Sequence, residues 1–251
     1  ESRGTGRFVS SVEAMRRVKE LGEIGIQIIL HGPESIEGNV EMLRVHRMLG
    51  ATVFTLCSSY RNAIVDGCRE PGNAGLSLYG IRVLAELNVQ KIAVDCSHIS
   101  ERGFWNVLEH CESPPILTHT AAKAITESPR NMSDEQLKAH ARAGGYIGVV
   151  FFPAYLAKEN ATIEDLLDHI DHISNLVGTE FVGLGADFCA YGWEWVSLVW
   201  ESSAMPEKRY KFPRDIENIT MWKNVTRGLI KRGYKDSEIQ GILGHNYLRI
   251  I

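Results

Sequence analysis

The chain has 251 residues, 44% hydrophobic, 23% charged and 8% aromatic, enough apolar material to bury a large core as one big domain or two small ones. That balance excludes a disordered, collagen-like or disulfide-stapled chain. The formal charge of -4, from 27 Lys+Arg against 31 Asp+Glu spread without a basic block, excludes the electrostatic footprint of a nucleic-acid or anionic-membrane surface and points to a small partner.

In chain order, Ser11 to Leu21 has helical periodicity with Ser11 placed to cap it, and Ile24 to Leu30 is an apolar run ending at His31-Gly32-Pro33. Val40 to Leu49 reads as a helix stopped by Gly50, and Ala51 to Cys57 as a β-branched, apolar strand ending at Ser58-Ser59. The alternation continues with a helix over Leu78 to Leu87, a strand over Lys91 to Asp95 and a helix over Glu101 to His110. A strand over Pro115 to Thr118 precedes a helix over Asp134 to Ala143, closed by Gly144-Gly145. Next come a strand over Tyr146 to Phe152, a helix over Ile163 to Val177 and a strand over Phe181 to Gly185. Ile216 to Arg232 and Ser237 to Leu248 are largely helical.

About six strands too continuously apolar for one-faced antiparallel pairing, each followed by a helix, specify an α/β fold with a parallel sheet. An open doubly wound sheet and a (β/α)8 barrel both satisfy that pattern. Polar residues follow several different strands, at His31, Ser58, His98, His119 and Asp187, which is how a barrel assembles its site at the C-terminal strand ends. No Gly-x-Gly-x-x-Gly follows the first strand, as an open dinucleotide-binding sheet requires. The barrel is the expectation, as a single domain over 1–251.

The cysteines, 5 in number and without Cys-x-x-Cys spacing, read as small buried hydrophobes. No run approaches the roughly 20 apolar residues of a membrane span, and the polar start does not read as a signal peptide. A soluble protein is expected, with the cytoplasm favoured. The sequons beginning at Asn131, Asn160, Asn218 and Asn224 carry no weight without a secretion signal.

Asp95-Cys96-Ser97-His98 and Thr118-His119-Thr120 sit at the ends of consecutive strands joined by one helix. Two imidazoles from adjacent strands can reach one metal, since strands lie about 4.8 Å apart and zinc–nitrogen bonds are roughly 2.0 to 2.1 Å. Ordinary polar loop starts are the alternative. Asp187, after Gly183-Leu184-Gly185, is a candidate for handling protons near a metal and a water, or else a helix cap. Arg130 stands in a turn where a guanidinium could grip a carboxylate, or else face solvent, while Ser133 or Asp134 caps the following helix. His169-Ile170-Asp171-His172 falls mid-helix and is expected on a helix surface, as are His46, His110 and His140. Trp193, Trp195 and Trp200 could wall a pocket or fill a core.

Taken in order, Gly75-Leu76-Ser77, Asp95-Cys96-Ser97-His98, Thr118-His119-Thr120, Arg130-Asn131 with Asp134, Gly144-Gly145, Gly183-Leu184-Gly185-Ala186-Asp187-Phe188 and Gly244-His245-Asn246-Tyr247-Leu248-Arg249 resemble the membrane (renal-type) dipeptidase family of the amidohydrolase superfamily. The resemblance covers roughly residues 24 to 251. It implies a (β/α)8 barrel with a two-zinc site that hydrolyses dipeptides, including those with a D-residue at the C-terminal side. Carried over by position, His98 and His119 are the two histidines of one zinc, Arg130 binds the dipeptide carboxylate and Asp187 is the strand-8 aspartate beside the metals.

The same comparison exposes three departures. The family's His-x-Asp pair on strand 1 has no counterpart, as if the chain began after the first one or two strands, and open sheet edges would then favour pairing with a second copy. His31 stands where the family's metal-bridging glutamate is expected, and an imidazole does not normally bridge two zincs. Leu56-Cys57-Ser58-Ser59 replaces a segment in which the family often has a histidine. The expectation is therefore a zinc-dependent dipeptidase holding one or two Zn2+ through His98, His119 and His31. The alternatives are a catalytically impaired binding protein and another amidohydrolase-type activity on a small amide.

Overall fold

The computed structural model describes residues 6–188 and 212–251, divided between two compact units. The first comprises Glu1–Thr118, Lys138–Tyr146 and His245–Ile251, and the second His119–Leu137 and Ile147–Gly244. Every strand pair in both is parallel.

In the first unit, β1 (Gly6–Phe8) leads into α1 (Val12–Glu20), which starts where Ser11 Oγ accepts the Ala14 N–H. The apolar run after α1, expected as one strand, is two: β2 (Ile24–Ile26) pairs with β1, and β3 (Ile28–His31) pairs with β4 (Ala51–Thr55). Gln27 is the reason for the break. Its amide donates to Thr52 Oγ1 at 2.6 Å and accepts from the Tyr247 hydroxyl at 2.7 Å, so the one polar residue in the run serves side-chain partners while the pairing changes strand. After α2 (Met42–Met48), Gly50 takes the left-handed conformation (φ 98°) that ends helices most cheaply in glycine, and β4 follows with every residue buried.

The chain continues through α3 (Leu78–Gln90), β5 (Ala93–Asp95), α4 (Glu101–His110) and β6 (Ile116–Thr120), with Ser77 and Ser100 capping the two helices. In this unit the strands neighbour one another in the order β3-β4-β5-β6. Val53, Ile116 and Tyr146 are buried there against Ala93, Tyr247, Ile250 and Ile251, so the C-terminal residues complete this core. Arg249 donates to the Gly144 carbonyl at 2.9 Å, tying the same tail to the Gly144-Gly145 turn.

In the second unit, β7 (Tyr146–Val150) pairs with β8 (Val182–Gly185) from Ile147↔Val182 to Val150↔Gly185. Between them lie a short helix α6 (Pro153–Leu156), unanticipated because its four residues are too few for periodicity to show, and α7 (Ile163–Val177). α7 opens with the capping box Thr162/Asp165 and buries Ile163, Leu166, Leu167, Ile170 and Ile173. The helix Lys223–Lys231 meets it closely, since a Cβ on Gly228 would lie 2.4 Å from Leu167 Cδ1. α5 (Asp134–Arg142), of which the residues up to Leu137 belong to this unit, begins with a reciprocal cap in which Ser133 Oγ accepts the Gln136 N–H and Gln136 Oε1 accepts the Ser133 N–H.

The two helices expected near the C-terminus are each subdivided. A 3-10 turn at Ile219–Met221 precedes Lys223–Lys231, and Asp236–Gln240 is separated from Asn246–Leu248 by a wide turn over Gly241–His245, where Gly244 leaves helical geometry. No helix among the described residues is long and apolar enough to cross a membrane.

Candidate functional site

The first unit brings together His31, Ser58, Ser59 and His98. His31 is the last residue of β3, and the chain turns sharply after it because Gly32 is left-handed (φ 78°) and donates its N–H to the Thr55 carbonyl. Ser58 and Ser59 follow β4, and His98 follows β5. The His31 and His98 ring centres are 5.9 Å apart with the planes at 81°. Each ring has one serine at Nδ1: Ser59 Oγ is 3.2 Å from His98 Nδ1, and Ser58 Oγ is 3.5 Å from His31 Nδ1. His98 is buried, whereas His31 and Ser58 are exposed.

The loop after the serines fixes this geometry. The Cys68 N–H donates to the His98 carbonyl at 2.7 Å, and the Arg69 N–H to the Ser59 carbonyl at 2.8 Å. Gly67 lies so close beneath the serines that a Cβ there would be 2.3 Å from the Ser58 oxygen and the Ser59 carbonyl carbon. His98 itself has φ 68°, a left-handed conformation costing a non-glycine residue about 1–2 kcal/mol, which the surrounding bonds must hold.

Two residues before Ser97 in the direction of the strand, Asp95 is buried at 0% exposure. Its Oδ1 accepts from the Ser97 N–H, the Ser97 hydroxyl and the Thr118 N–H, at 2.9, 2.7 and 2.9 Å. Its Oδ2 accepts from the Thr55 and Thr118 hydroxyls at 2.7 and 2.6 Å. One carboxylate thus joins the last residue of β4, the segment just past β5 and the middle of β6, and it sets the residue before His98. Asp95 belongs to the Asp95-Cys96-Ser97-His98 motif, whose spacing assigns it no role. The available signal was a carboxylate ending an apolar strand, with Thr55 and Thr118 at neighbouring strand ends.

The second unit holds His119, Arg130 and Asp187. His119 lies inside β6 rather than past it, and its carbonyl accepts a hydrogen bond from Arg130 Nη2. Arg130 is not a solvated turn residue: it is 1% exposed, with its guanidinium carbon 5.6 Å from the centre of the Tyr155 ring. Its Nε and Nη1 find no hydrogen-bond partner among the described residues. Asn131 supports the turn by donating to the Thr126 and Tyr155 carbonyls, both at 2.8 Å; it is buried, which removes that sequon as a glycan acceptor. Asp187 is exposed two residues past β8, and it too is left-handed (φ 56°). Tyr155 could not be anticipated, because nothing in the spacing links it to Arg130.

Two histidines expected on helix surfaces are core residues. His169 is 0% exposed; its Nδ1 accepts the Ala122 N–H at 3.0 Å and its Nε2 lies 3.1 Å from the Leu156 carbonyl. His140 is also 0% exposed, with Nε2 3.1 Å from the Tyr146 carbonyl and burial lowering its pKa to about 4. Helical position alone could not reveal that these faces turn inward and that backbone groups wait there. His172 is paired with Asp134 at 2.8 Å. Trp193, Trp195, Trp200 and Cys189 lie outside the described residues.

His31, His98 and His119 are nitrogen donors of the kind that zinc accepts. Among the described residues, however, no three His, Cys, Asp or Glu side chains gather as a metal-holding group. The donors that the described residues of the first unit bring together are the imidazoles of His31 and His98.

The fold is that of the amidohydrolase-type metal-dependent hydrolases. An amidohydrolase from Pseudomonas aeruginosa superposes with a TM-score of 0.91 at 28% identity, covering 98% of this chain and 77% of its own. A metallo peptidase from Rhodobacter sphaeroides, liganded with a phosphinate mimic of the dipeptide L-Ala-D-Ala, gives 0.85 at 23% identity over 99% of this chain and 68% of its own, a likeness of fold. The chain belongs to the membrane dipeptidase family (peptidase family M19), whose sequence pattern matches residues 3–251. Relatives include an uncharacterized dipeptidase of Schizosaccharomyces pombe (29% identity, 97% of this chain and 56% of the relative), dipeptidase tcpJ of Claviceps purpurea (27%, 94% and 52%) and dipeptidase 3 of Macaca fascicularis (26%, 97% and 47%). The chain spans about half the length of these relatives.

Proposed function

We propose that this chain binds short peptides bearing a free C-terminal carboxylate and hydrolyses them as a metal-dependent dipeptidase. The observation that carries the reading is Arg130. A guanidinium that is 1% exposed, with two of its nitrogens unpartnered among the described residues, is costly to bury unless an anion joins it. A substrate carboxylate supplies two acceptor oxygens for those donors. Arg130 Nη2 is already anchored on the His119 carbonyl, so the clamp is built into the strand end that presents a candidate metal ligand.

By the family's pattern His98, with His31 as a further donor, is the candidate metal ligand of the first unit and His119 that of the second, and a bound divalent ion would supply Lewis acidity toward the peptide carbonyl. The chain's own residues do the rest. Arg130 fixes the C-terminal end and so sets which bond is presented, and Asp187 takes a proton from the attacking water and passes it to the leaving amine. The membership of the family supports this assignment.

The test is steady-state hydrolysis by the zinc-loaded protein of free and C-terminally amidated dipeptides. Arg130→Ala should raise KM for the free dipeptide far more than for the amide. Equal effects on both would remove the proposed role. A second reading, a binding protein that retains the Arg130 pocket, is favoured by one observation, the lack of a three-donor metal group among the described residues. Dipeptide binding without turnover in the zinc-loaded protein would select it.

A further inference from the structure

We propose that His31 and His98 bind a single nitrogen-preferring divalent ion through their Nε2 atoms, with Ser58 and Ser59 orienting the rings. This deepens the metal-dependent reading above and departs from a carboxylate-bridged pair of ions. The argument starts from distance. An ion about 2.0–2.1 Å from a ring nitrogen sits about 3.2 Å from the ring centre, so two rings sharing one ion at tetrahedral or wider angles have centres about 5–6 Å apart. The observed separation is 5.9 Å.

The serines supply the second, independent observation. A histidine that ligates through Nε2 carries its proton on Nδ1 and donates it to an acceptor that sets the ring's orientation. Ser59 Oγ stands at His98 Nδ1 and Ser58 Oγ at His31 Nδ1, so consecutive residues after one strand are placed to accept the Nδ1 protons of both rings when Nε2 ligates. Their backbone is in turn held by Gly67 and the Arg69 N–H. A surface histidine pair meeting by accident would not share a braced acceptor segment of this kind.

The chemistry of the donors then sets the preference. Glu34, the carboxylate nearest His31 in sequence, is exposed on the turn Pro33–Ile36 with its carboxylate folded against Gly32, and Asp95, three residues before His98, is engaged by Thr55, Ser97 and Thr118. Two neutral imidazoles favour zinc, nickel and copper, whereas manganese and magnesium prefer carboxylates and water. Ion choice at this site is thus a property of His31, and changing it to a carboxylate should change the ion.

The experiment is equilibrium titration of the whole protein with Zn2+, Cu2+ and Mn2+ separately, combined with the electron paramagnetic resonance spectrum of the Cu2+ form. One Zn2+ or Cu2+ per chain should bind through this pair, with nitrogen hyperfine structure from two imidazoles and with Mn2+ binding much more weakly. His31→Ala should remove one nitrogen from the spectrum and weaken Zn2+ binding by about a hundredfold or more. Ser59→Ala should weaken it by roughly tenfold, and His31→Glu should narrow the gap between Zn2+ and Mn2+. His31 is exposed, so its variants should fold; Ser59→Ala, which loses one hydroxyl, keeps the test open if they do not.

Zn2+ affinity and a Cu2+ spectrum unchanged in His31→Ala, or Mn2+ bound as tightly as Zn2+ by the unaltered protein, would overturn the proposal. Hydrolysis is not the readout. His31-dependent zinc binding without dipeptide turnover would keep this proposal and remove the dipeptidase reading, while turnover with His31-independent zinc would do the reverse.

Discussion

Asp95, in the first unit, and Arg130, in the second, are both charged residues withdrawn from solvent, at 0% and 1% exposure, and their surroundings treat them in opposite ways. Asp95 accepts five hydrogen bonds from Thr55, Ser97 and Thr118, so both carboxylate oxygens are served from within the fold. Arg130 donates from Nη2 to one carbonyl and leaves Nε and Nη1 without partners among the described residues. A buried charge whose partners are all internal is a structural joint. One whose donors remain open makes sense when a ligand completes it, because burying an unpaired charge is otherwise strongly unfavourable. The same measure, burial, therefore marks scaffold in one unit and recognition in the other, and only the hydrogen-bond accounting tells them apart.

The sharpest way to break this contrast is to remove Asp95. Asp95→Ala strands three hydroxyls and two backbone N–H groups in the core and should lower the unfolding free energy by about 3–5 kcal/mol. Asp95→Asn should recover part of the loss, since its amide oxygen can take the place of Oδ1 opposite the Ser97 and Thr118 N–H groups while its NH2 meets the Thr55 and Thr118 hydroxyls, which can turn to accept. Urea denaturation checks both, and a loss below about 1 kcal/mol for Asp95→Ala would show that the network is not the joint it resembles.

Next in size is a pH effect, which tests whether an incompletely partnered buried group in the first unit behaves as the accounting requires. His140 has Nε2 on the Tyr146 carbonyl but no partner at Nδ1 among the described residues, whereas both ring nitrogens of His169 in the second unit are engaged. Burial lowers the His140 pKa from 6.5 to about 4, partly opposed by the bond to Tyr146 and the charge of Asp95. The folded state thus favours the neutral ring. Below pH 6.5 the unfolded chain takes up a proton that the folded chain refuses, so this contribution is fully present above 6.5 and is lost as pH falls toward 4. Its size is up to about 3 kcal/mol. Denaturation midpoints across that window should fall with pH, and His140→Leu should flatten the slope; an unchanged slope would place the acid sensitivity elsewhere.

Gly67→Ala should cost about 1–3 kcal/mol, because the added methyl meets backbone atoms of Ser58 and Ser59 rather than a flexible side-chain end. The same variant should displace the serines and so loosen zinc binding at His31 and His98. Normal stability with normal zinc affinity would mean that the segment shifts freely and does not brace the rings.

Much of the scaffold was legible because its signals are local. α4 and α7 run over the residues whose periodicity and caps predict them, and β4 through β8 fall on their apolar runs. The break at Gln27 was not legible, since the partners that cause it, Thr52 and Tyr247, come from distant parts of the chain. The candidate site divides in the same manner. His31, His98, His119 and Asp187 stand out as polar residues at strand ends and Arg130 as a cation in a turn, but the burial of Arg130, the serine at each imidazole and the five bonds to Asp95 depend on contacts that no spacing encodes.

Arg130→Met should have the smallest effect on stability and the clearest effect on binding. Removing a buried charge with open donors eliminates an unfavourable term, while methionine occupies much of the same volume and keeps contact with the Tyr155 ring, so the unfolding free energy should change by less than about 1 kcal/mol in either direction. Affinity for a free dipeptide should fall by about 100-fold, the loss of a charge-assisted clamp of about 3 kcal/mol, measured by calorimetry beside a C-terminally amidated control that loses little. A variant destabilised as severely as Asp95→Ala would mean that Arg130 is a joint as well, and its open donors would then have to be served from within the chain rather than by substrate.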